Sequence, residues 1–433
     1  MTSKIPHLAT VCCVLLISTL AAFAEPADSE TNWPSWRGPN SDGYAATTQV
    51  PARWEAKNIL WKAQLPGKGH STPVVWNQRI FLTAPVQGQD AVLAFDRVGK
   101  PLWQTVIGPE RPGKHADSSG CNPSPVTDGQ SLFAYFKSGA FAGLDLDGKI
   151  RWQTNIQERF GKDTLFWDIS SSPVLTEKNV VLAVLQQDTG FLAAFDKLTG
   201  ELRWKVDRSF KASRETDQGY ATPLVIRHEG KEALLVWGAE HLTLHDAADG
   251  SLLWSCGDFN TEKKGGWASI VTPVIAQNIA IISDGRGSRL HGIKVEGSGD
   301  VTATHHVWKR QDSGSFIPTP AVSKEGLVYL LRDEKPNGGI VECIDPLTGA
   351  PHWSGRLPED GSKFFASPVI VGDQLLITRL DGTVFVLRAG GPFEILAQNA
   401  TGERIIASPV PFRGGLLLRG EQHLFCIGAA EVK

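Results

Sequence analysis

Several classes of protein are excluded by what this sequence lacks. Its 43 Lys and Arg are nearly balanced by 46 Asp and Glu, leaving a formal net charge of -3. Polyanion binding rests on clustered basic residues, so nucleic acid is not expected as a partner. Beyond the N-terminus no stretch approaches the roughly 18 consecutive apolar residues of a membrane-spanning helix. Cysteine is scarce: past Cys12 and Cys13 only Cys121, Cys256, Cys343 and Cys426 occur, never as Cys-x-x-Cys. Zinc ribbons and thioredoxin-type redox motifs are thereby excluded, and the four thiols read as small buried apolar groups. There is no Gly-x-Ser-x-Gly and no Walker loop, of which Gly67-Lys-Gly-His-Ser71 is only a fragment. His228-Glu229 lacks the second His of a zinc-protease helix.

Glycine and proline, by contrast, are plentiful, at 44 and 26 residues. That many breakers argues against long helices and for short elements joined by tight turns. The first residues read as an address. One Lys precedes an apolar run from Val11 to Phe23, and Ala22-Phe23-Ala24 offers small residues where a signal peptidase cuts. Residues 1–24 are expected to be a signal peptide cleaved near Ala24, placing the protein in the periplasm or outside the cell, with no transmembrane segment.

Internal repetition decides the architecture. A Ser or Thr followed by Pro recurs eight times: Thr72-Pro73, Ser124-Pro125, Ser172-Pro173, Thr222-Pro223, Thr272-Pro273, Thr319-Pro320, Ser367-Pro368 and Ser408-Pro409. The prolines lie between 41 and 52 residues apart. Between them sits a second landmark, as in Asp196-Lys-Leu-Thr-Gly-Glu-Leu-Arg-Trp204 and Asp345-Pro-Leu-Thr-Gly-Ala-Pro-His-Trp353. An apolar strand ends at Asp, the turn needs Gly where φ is positive, and the next strand carries Trp. Trp308 fills this place in a lengthened unit whose turn is Glu296-Gly-Ser-Gly-Asp300.

Each unit therefore reads as four short strands, with Pro tolerated at the opening of the first. Such a unit cannot bury both faces alone, so neighbours stack, and radial closure gives a propeller. The eighth unit supplies three strands and stops, while an orphan strand around Trp61 precedes the first. The reading is an all-β, eight-bladed β-propeller of four-stranded antiparallel blades, its ring closed by the N-terminal strand completing the last blade. The propeller is placed at 58–428 and a short tail at 429–433. An extension at 25–57, with its apolar Trp33-Pro-Ser-Trp-Arg-Gly-Pro39, is expected to pack on it.

The Ser/Thr-Pro opening and the Asp…Gly…Trp hairpin resemble the PQQ-like β-propeller repeat family, which includes quinoprotein alcohol dehydrogenases and the assembly factor BamB. The Gly-His…Trp-Asp pairing of WD40 propellers is missing. The resemblance implies either a cofactor enzyme or a scaffold. Quinoprotein dehydrogenases carry adjacent cysteines and a calcium site, and the chain beyond the leader shows neither an adjacent Cys pair nor a local carboxylate run.

The geometry of such a ring points to one face. Residues just before each Ser/Thr-Pro should surround the central channel: His70, Asn122, Asp168, Gln218, Tyr220, Trp267, Phe316, Phe365 and Arg404. Arg332, Arg379 and Arg419 occupy the same register in the last three blades, with Arg286 nearby, and would attract a carboxylate ligand or an acidic partner. Three functions follow. The first is a non-catalytic scaffold of the bacterial envelope, monomeric and BamB-like, binding a protein partner or a ligand. The second is a PQQ- and calcium-dependent oxidoreductase with Trp267 under the quinone, the arginines on its carboxylates and Asp168 as the base. The third is a polysaccharide binder using Trp267, Phe316 and Phe365 as stacking platforms. No cofactor is expected under the first.

Overall fold

The computed structural model describes Met1 and residues 32–46, 50–334 and 338–429. Apart from Met1 the expected signal segment lies outside the described residues, as does most of the tail. The chain forms eight antiparallel sheets arranged as an eight-bladed propeller. The first strands of blades 1 to 8, which surround the axis, are Val74–Trp76, Val126–Thr127, Val174–Leu175, Leu224–His228, Val274–Ala276, Ala321–Val322, Val369–Val371 and Val410–Phe412. In blade 7 the remaining strands are Gln374–Thr378, Thr383–Arg388 and Ile395–Ala400, each paired antiparallel to the one before. Blade 8 takes its outer strand from the other end of the chain, with Ile59–Gln64 pairing antiparallel to His423–Gly428.

Local chemistry builds the hairpins. Asp96, Asp145, Asp196, Asp246 and Asp345 each accept, at Oδ1, the N–H two residues on, at 2.8–3.0 Å. The turn then passes through a glycine, such as Gly200 at φ +71°. The tryptophans dock one blade on the next. Trp61, Trp103, Trp152, Trp204 and Trp308 donate their indole N–H to Arg97, Leu146, Lys197, Ala247 and Pro346 carbonyls in the following hairpin turn. A Cβ on Gly200 would lie 2.5 Å from Trp152 Cδ2, so the indole needs the bare glycine beneath it. Two docks differ. Trp353 packs against Phe393, with ring centroids 5.7 Å apart. The lengthened turn after Trp254 lays Gly299–Asp300 parallel against the outer edge of blade 4.

Hydrophobic clusters lie between blades. Phe133, Phe141 and Trp152 of blade 2, for example, pack with Val180, Leu182 and Phe195 of blade 3. Stacking thus buries the face that a single sheet would leave wet. All four described cysteines are free and buried.

The segment ahead of the ring crosses one mouth of the channel. Trp33 exchanges backbone hydrogen bonds with Val75 of blade 1, and the Pro34 carbonyl accepts from Thr127 of blade 2. Asp42 then reaches Val322 of blade 6, and Tyr44–Ala45 runs parallel to the first strand of blade 7. Midway, fully buried Arg37 donates to the carbonyls of Pro320 and Pro368 at 2.6 and 2.7 Å. Burial lowers its pKa to about 10 despite Asp42 nearby.

Candidate functional site

The eight Ser/Thr-Pro hydroxyls join into a closed circle of hydrogen bonds. The backbone N–H of Thr72 donates to Ser124 Oγ, Ser124 to Ser172, Ser172 to Thr222 and Thr222 to Thr272. Thr272 donates to Thr319, Thr319 to Ser367, Ser367 to Ser408, and Ser408 back to Thr72. The lengths run from 2.9 to 3.2 Å. Each proline fixes the strand entry and each hydroxyl satisfies the N–H of the preceding blade, which has no ladder partner there.

All eight hydroxyl residues line one cavity of about 640 Å³. Its rim comes from the loops that lead into the Ser/Thr-Pro pairs, and Trp36, from the segment across the opposite mouth, also lines it. The cavity is therefore a blind funnel. His70, Asn122, Asp168, Tyr220, Phe316 and Phe365 line it, together with His115, Asp117, Trp167, Arg286, Glu334 and Lys363.

Among the described residues, every Lys, Arg, Asp and Glu lining the funnel has an opposite charge beside it. Asp168 pairs with buried Lys137 and accepts the Lys114 N–H at 2.7 Å. Burial raises its pKa, but Lys137, Ser118 and that amide outweigh burial and leave the carboxyl below its ordinary range. An acid held ionised and bonded on both sides is a poor proton acceptor. Asp117 bridges Arg404 and Lys363, and Arg286 lies 3.4 Å from Glu334 while covering the Phe316 ring. His70 sits 3.8 Å from Glu421, and burial lowers its pKa from the ordinary imidazole value although Glu421 opposes the shift. Asn122 spends its amide on Ser118, Ser119 and Ile169. The Tyr220 hydroxyl bridges Gln218 and the Trp167 N–H.

Several expected residues lie elsewhere. Trp267 is not among the residues lining the funnel, so it is no platform there; the Arg289 guanidinium lies 4.2 Å and the Lys264 ammonium 5.2 Å from its ring centroid. Gln218 is buried behind Tyr220, and Arg404 reaches the rim only through Asp117. The arginines do not share an open face. Arg419 is buried, donating to the Ser71 and Thr83 carbonyls at 2.7 Å, and burial lowers its pKa to about 10. Arg332 pairs with Glu342, and Arg379, bound to Asp360 and Asp381, lines a second cavity of about 530 Å³. Sequence reasoning missed Trp36 and Trp167. Trp167 adjoins Asp168 ahead of Ser172-Pro173, which was the available signal.

A family model described as the outer membrane protein assembly factor BamB matches residues 45–205 and 181–317, more than half of the chain. The chain belongs to the PQQ-like β-propeller family. No curated protein sequence matches it. Among solved structures, this PQQ-like propeller is similar to a europium-containing methanol dehydrogenase, with a TM-score of 0.69 at 12% identity, over 92% of this chain and 91% of that one. It is also similar to the quinohemoprotein alcohol dehydrogenase of Comamonas testosteroni, with a TM-score of 0.65 at 14% identity, covering 93% and 81%. BamB of Moraxella catarrhalis gives a TM-score of 0.60 at 14% identity, covering 85% and 98%. At such identities the likeness shows the fold alone.

The donor set does not fit PQQ with calcium. Among the described residues no three His, Cys, Asp or Glu gather as a metal site, and calcium needs six to eight oxygens. Asp168, the one expected acid, already neutralises Lys137. Of the arginines expected for the quinone carboxylates, Arg332, Arg379 and Arg419 are engaged outside the funnel, and Arg286, which lines it, is paired with Glu334.

Proposed function

We propose that this chain is an exported, monomeric, non-catalytic binding propeller of the bacterial envelope, a scaffold in the manner of BamB whose funnel receives a ligand or partner group. The observation that carries this reading is the pairing of every described Lys, Arg, Asp and Glu in the funnel wall, which leaves none of those carboxylates or cations free for acid–base or electrostatic catalysis. The family model and the BamB neighbour support it. Export rests on the leader sequence.

The competing reading, a PQQ-dependent oxidoreductase of alcohols or sugars, draws on the dehydrogenases of the same fold. One experiment separates the two. The purified protein is incubated with PQQ and calcium or a lanthanide, then assayed for dye-linked oxidation of alcohols and sugars. Absence of turnover is expected; turnover abolished by Asp168→Asn would overturn the scaffold reading. Export is checked by N-terminal sequencing of envelope-fraction protein, with Glu25 expected as the first residue.

A further inference from the structure

The circle of hydrogen bonds uses each hydroxyl oxygen as an acceptor and leaves its proton free. None of the eight hydroxyls donates to any protein acceptor among the described residues, although all eight side chains are at least nine-tenths buried and line the funnel. A buried O–H without an acceptor costs free energy, and a concentric set of them is a built demand for acceptor atoms on the axis. Each oxygen also keeps a second lone pair, so the ring can both give and take hydrogen bonds.

Three further features restrict what would satisfy it. Among the described residues the walls carry no uncompensated carboxylate, ammonium or guanidinium, since Asp168 faces Lys137, Asp117 faces Lys363 and Arg286 faces Glu334. An anionic ligand would have to break those pairs to find a cation. Flat aromatic surfaces are present both deep and at the rim, in Trp36, Trp167 and Phe365, while the Phe316 ring is covered by Arg286. The volume, about 640 Å³, lies within the roughly 300–1,000 Å³ of small-molecule sites.

We infer that the funnel is a binding site for a neutral saccharide, an uncharged pyranose whose hydroxyl edge meets the ring of Ser/Thr hydroxyls and whose apolar C–H face stacks on the aromatic side chains. A polyol supplies donors and acceptors around its rim, which matches groups able to do both. An aliphatic ligand would leave the ring unsatisfied, and a carboxylate would lack a free counter-charge. The assignment rests on the non-catalytic binding function proposed above and names the ligand class of that same site.

The test is calorimetric titration of the intact protein with neutral gluco-, xylo- and chito-oligosaccharides. Each is measured at about 0.05 and 0.5 M salt, beside carboxylated and sulfated sugars as anionic controls. At least one neutral sugar is expected to bind, with affinity changed less than about twofold by salt. Phe365→Ala, at the rim and away from the N-terminal segment, should weaken it about tenfold. Trp36→Ala should abolish binding, provided circular dichroism shows the fold intact. Absence of neutral-sugar binding at roughly 10 mM overturns the inference. So does binding confined to the anionic sugars and lost at high salt. Oxidation of a bound neutral sugar in the dye assay would sustain the site while sinking the non-catalytic reading.

Discussion

The backbone N–H of Ser408 donates to Thr72 Oγ1 at 3.2 Å, joining residues 336 positions apart and closing the circle of hydroxyls. The same seam is closed on the outside by Ile59–Gln64 pairing with His423–Gly428. The ring is thus latched twice, once near the axis and once at the rim.

Thr72→Val keeps the shape at the inner latch but removes the acceptor, leaving the Ser408 N–H buried and unpaired. Urea unfolding should show a loss of about 1–3 kcal/mol. Thr72→Ser restores the acceptor and should cost much less. Equal losses in the two variants would mean the hydroxyl is not what holds the seam.

A pair of glycines separates docking from turn strain. Gly200→Ala forces a methyl into Trp152 at a positive φ, whereas a methyl on Gly230, at φ +81°, would meet nothing within 4 Å. Gly230→Ala should cost only the left-handed penalty of about 1–2 kcal/mol. Gly200→Ala should cost about 1–3 kcal/mol more, through overpacking against the indole. Matching thermal midpoints for the two would remove the argument that Trp docking requires glycine.

Asp90 is fully buried, accepts Ser138 Oγ at 2.6 Å, and burial raises its pKa to about 7. A folded-state pKa above the unfolded one means the native state holds the proton longer. Its contribution is fully present below about pH 4 and is lost as pH rises through about 7. Asp90→Asn stays neutral throughout, so it should match the parent near pH 4 and exceed it in stability at pH 8. Stability measured across pH 4 to 8 checks this; parallel curves for the two proteins would refute it.

The buried pair Lys137–Asp168 is a coupling prediction. Lys137→Met or Asp168→Leu alone leaves one uncompensated buried charge and should cost about 3–5 kcal/mol. The double variant should cost clearly less than the sum, because neither charge remains. Additive losses would place the two side chains in separate roles.

The blade count is legible in the sequence because its signals are local. Ser/Thr-Pro and Asp…Gly…Trp each specify one turn or strand entry, and counting them exposes the missing eighth outer strand. The site is less legible because its meaning lies between blades. Asp168 stands in the expected loop, yet its partner Lys137 belongs to the preceding blade and was invisible as such. Arg419 shares a register with Arg332 and Arg379, but only the packing at the seam turns its guanidinium inward to Ser71 and Thr83. Trp267 holds the same place before its Thr-Pro as channel residues do, yet its ring lies against Arg289 and Lys264 rather than in the funnel wall.

The order in which this chain is made bears on the segment that seals the channel. Arg37 grips carbonyls of Pro320 and Pro368, and the strand from Ile59 to Gln64 waits for His423 to Gly428. A polypeptide synthesised from its N-terminus therefore carries these two pieces without a berth until almost all of it exists. Any product halted before blade 8 would display an unpaired strand, and one halted before blade 6 would also leave Arg37 without its carbonyl partners. Quality control could recognise such a product, and a nascent chain would need shielding until its own end arrives.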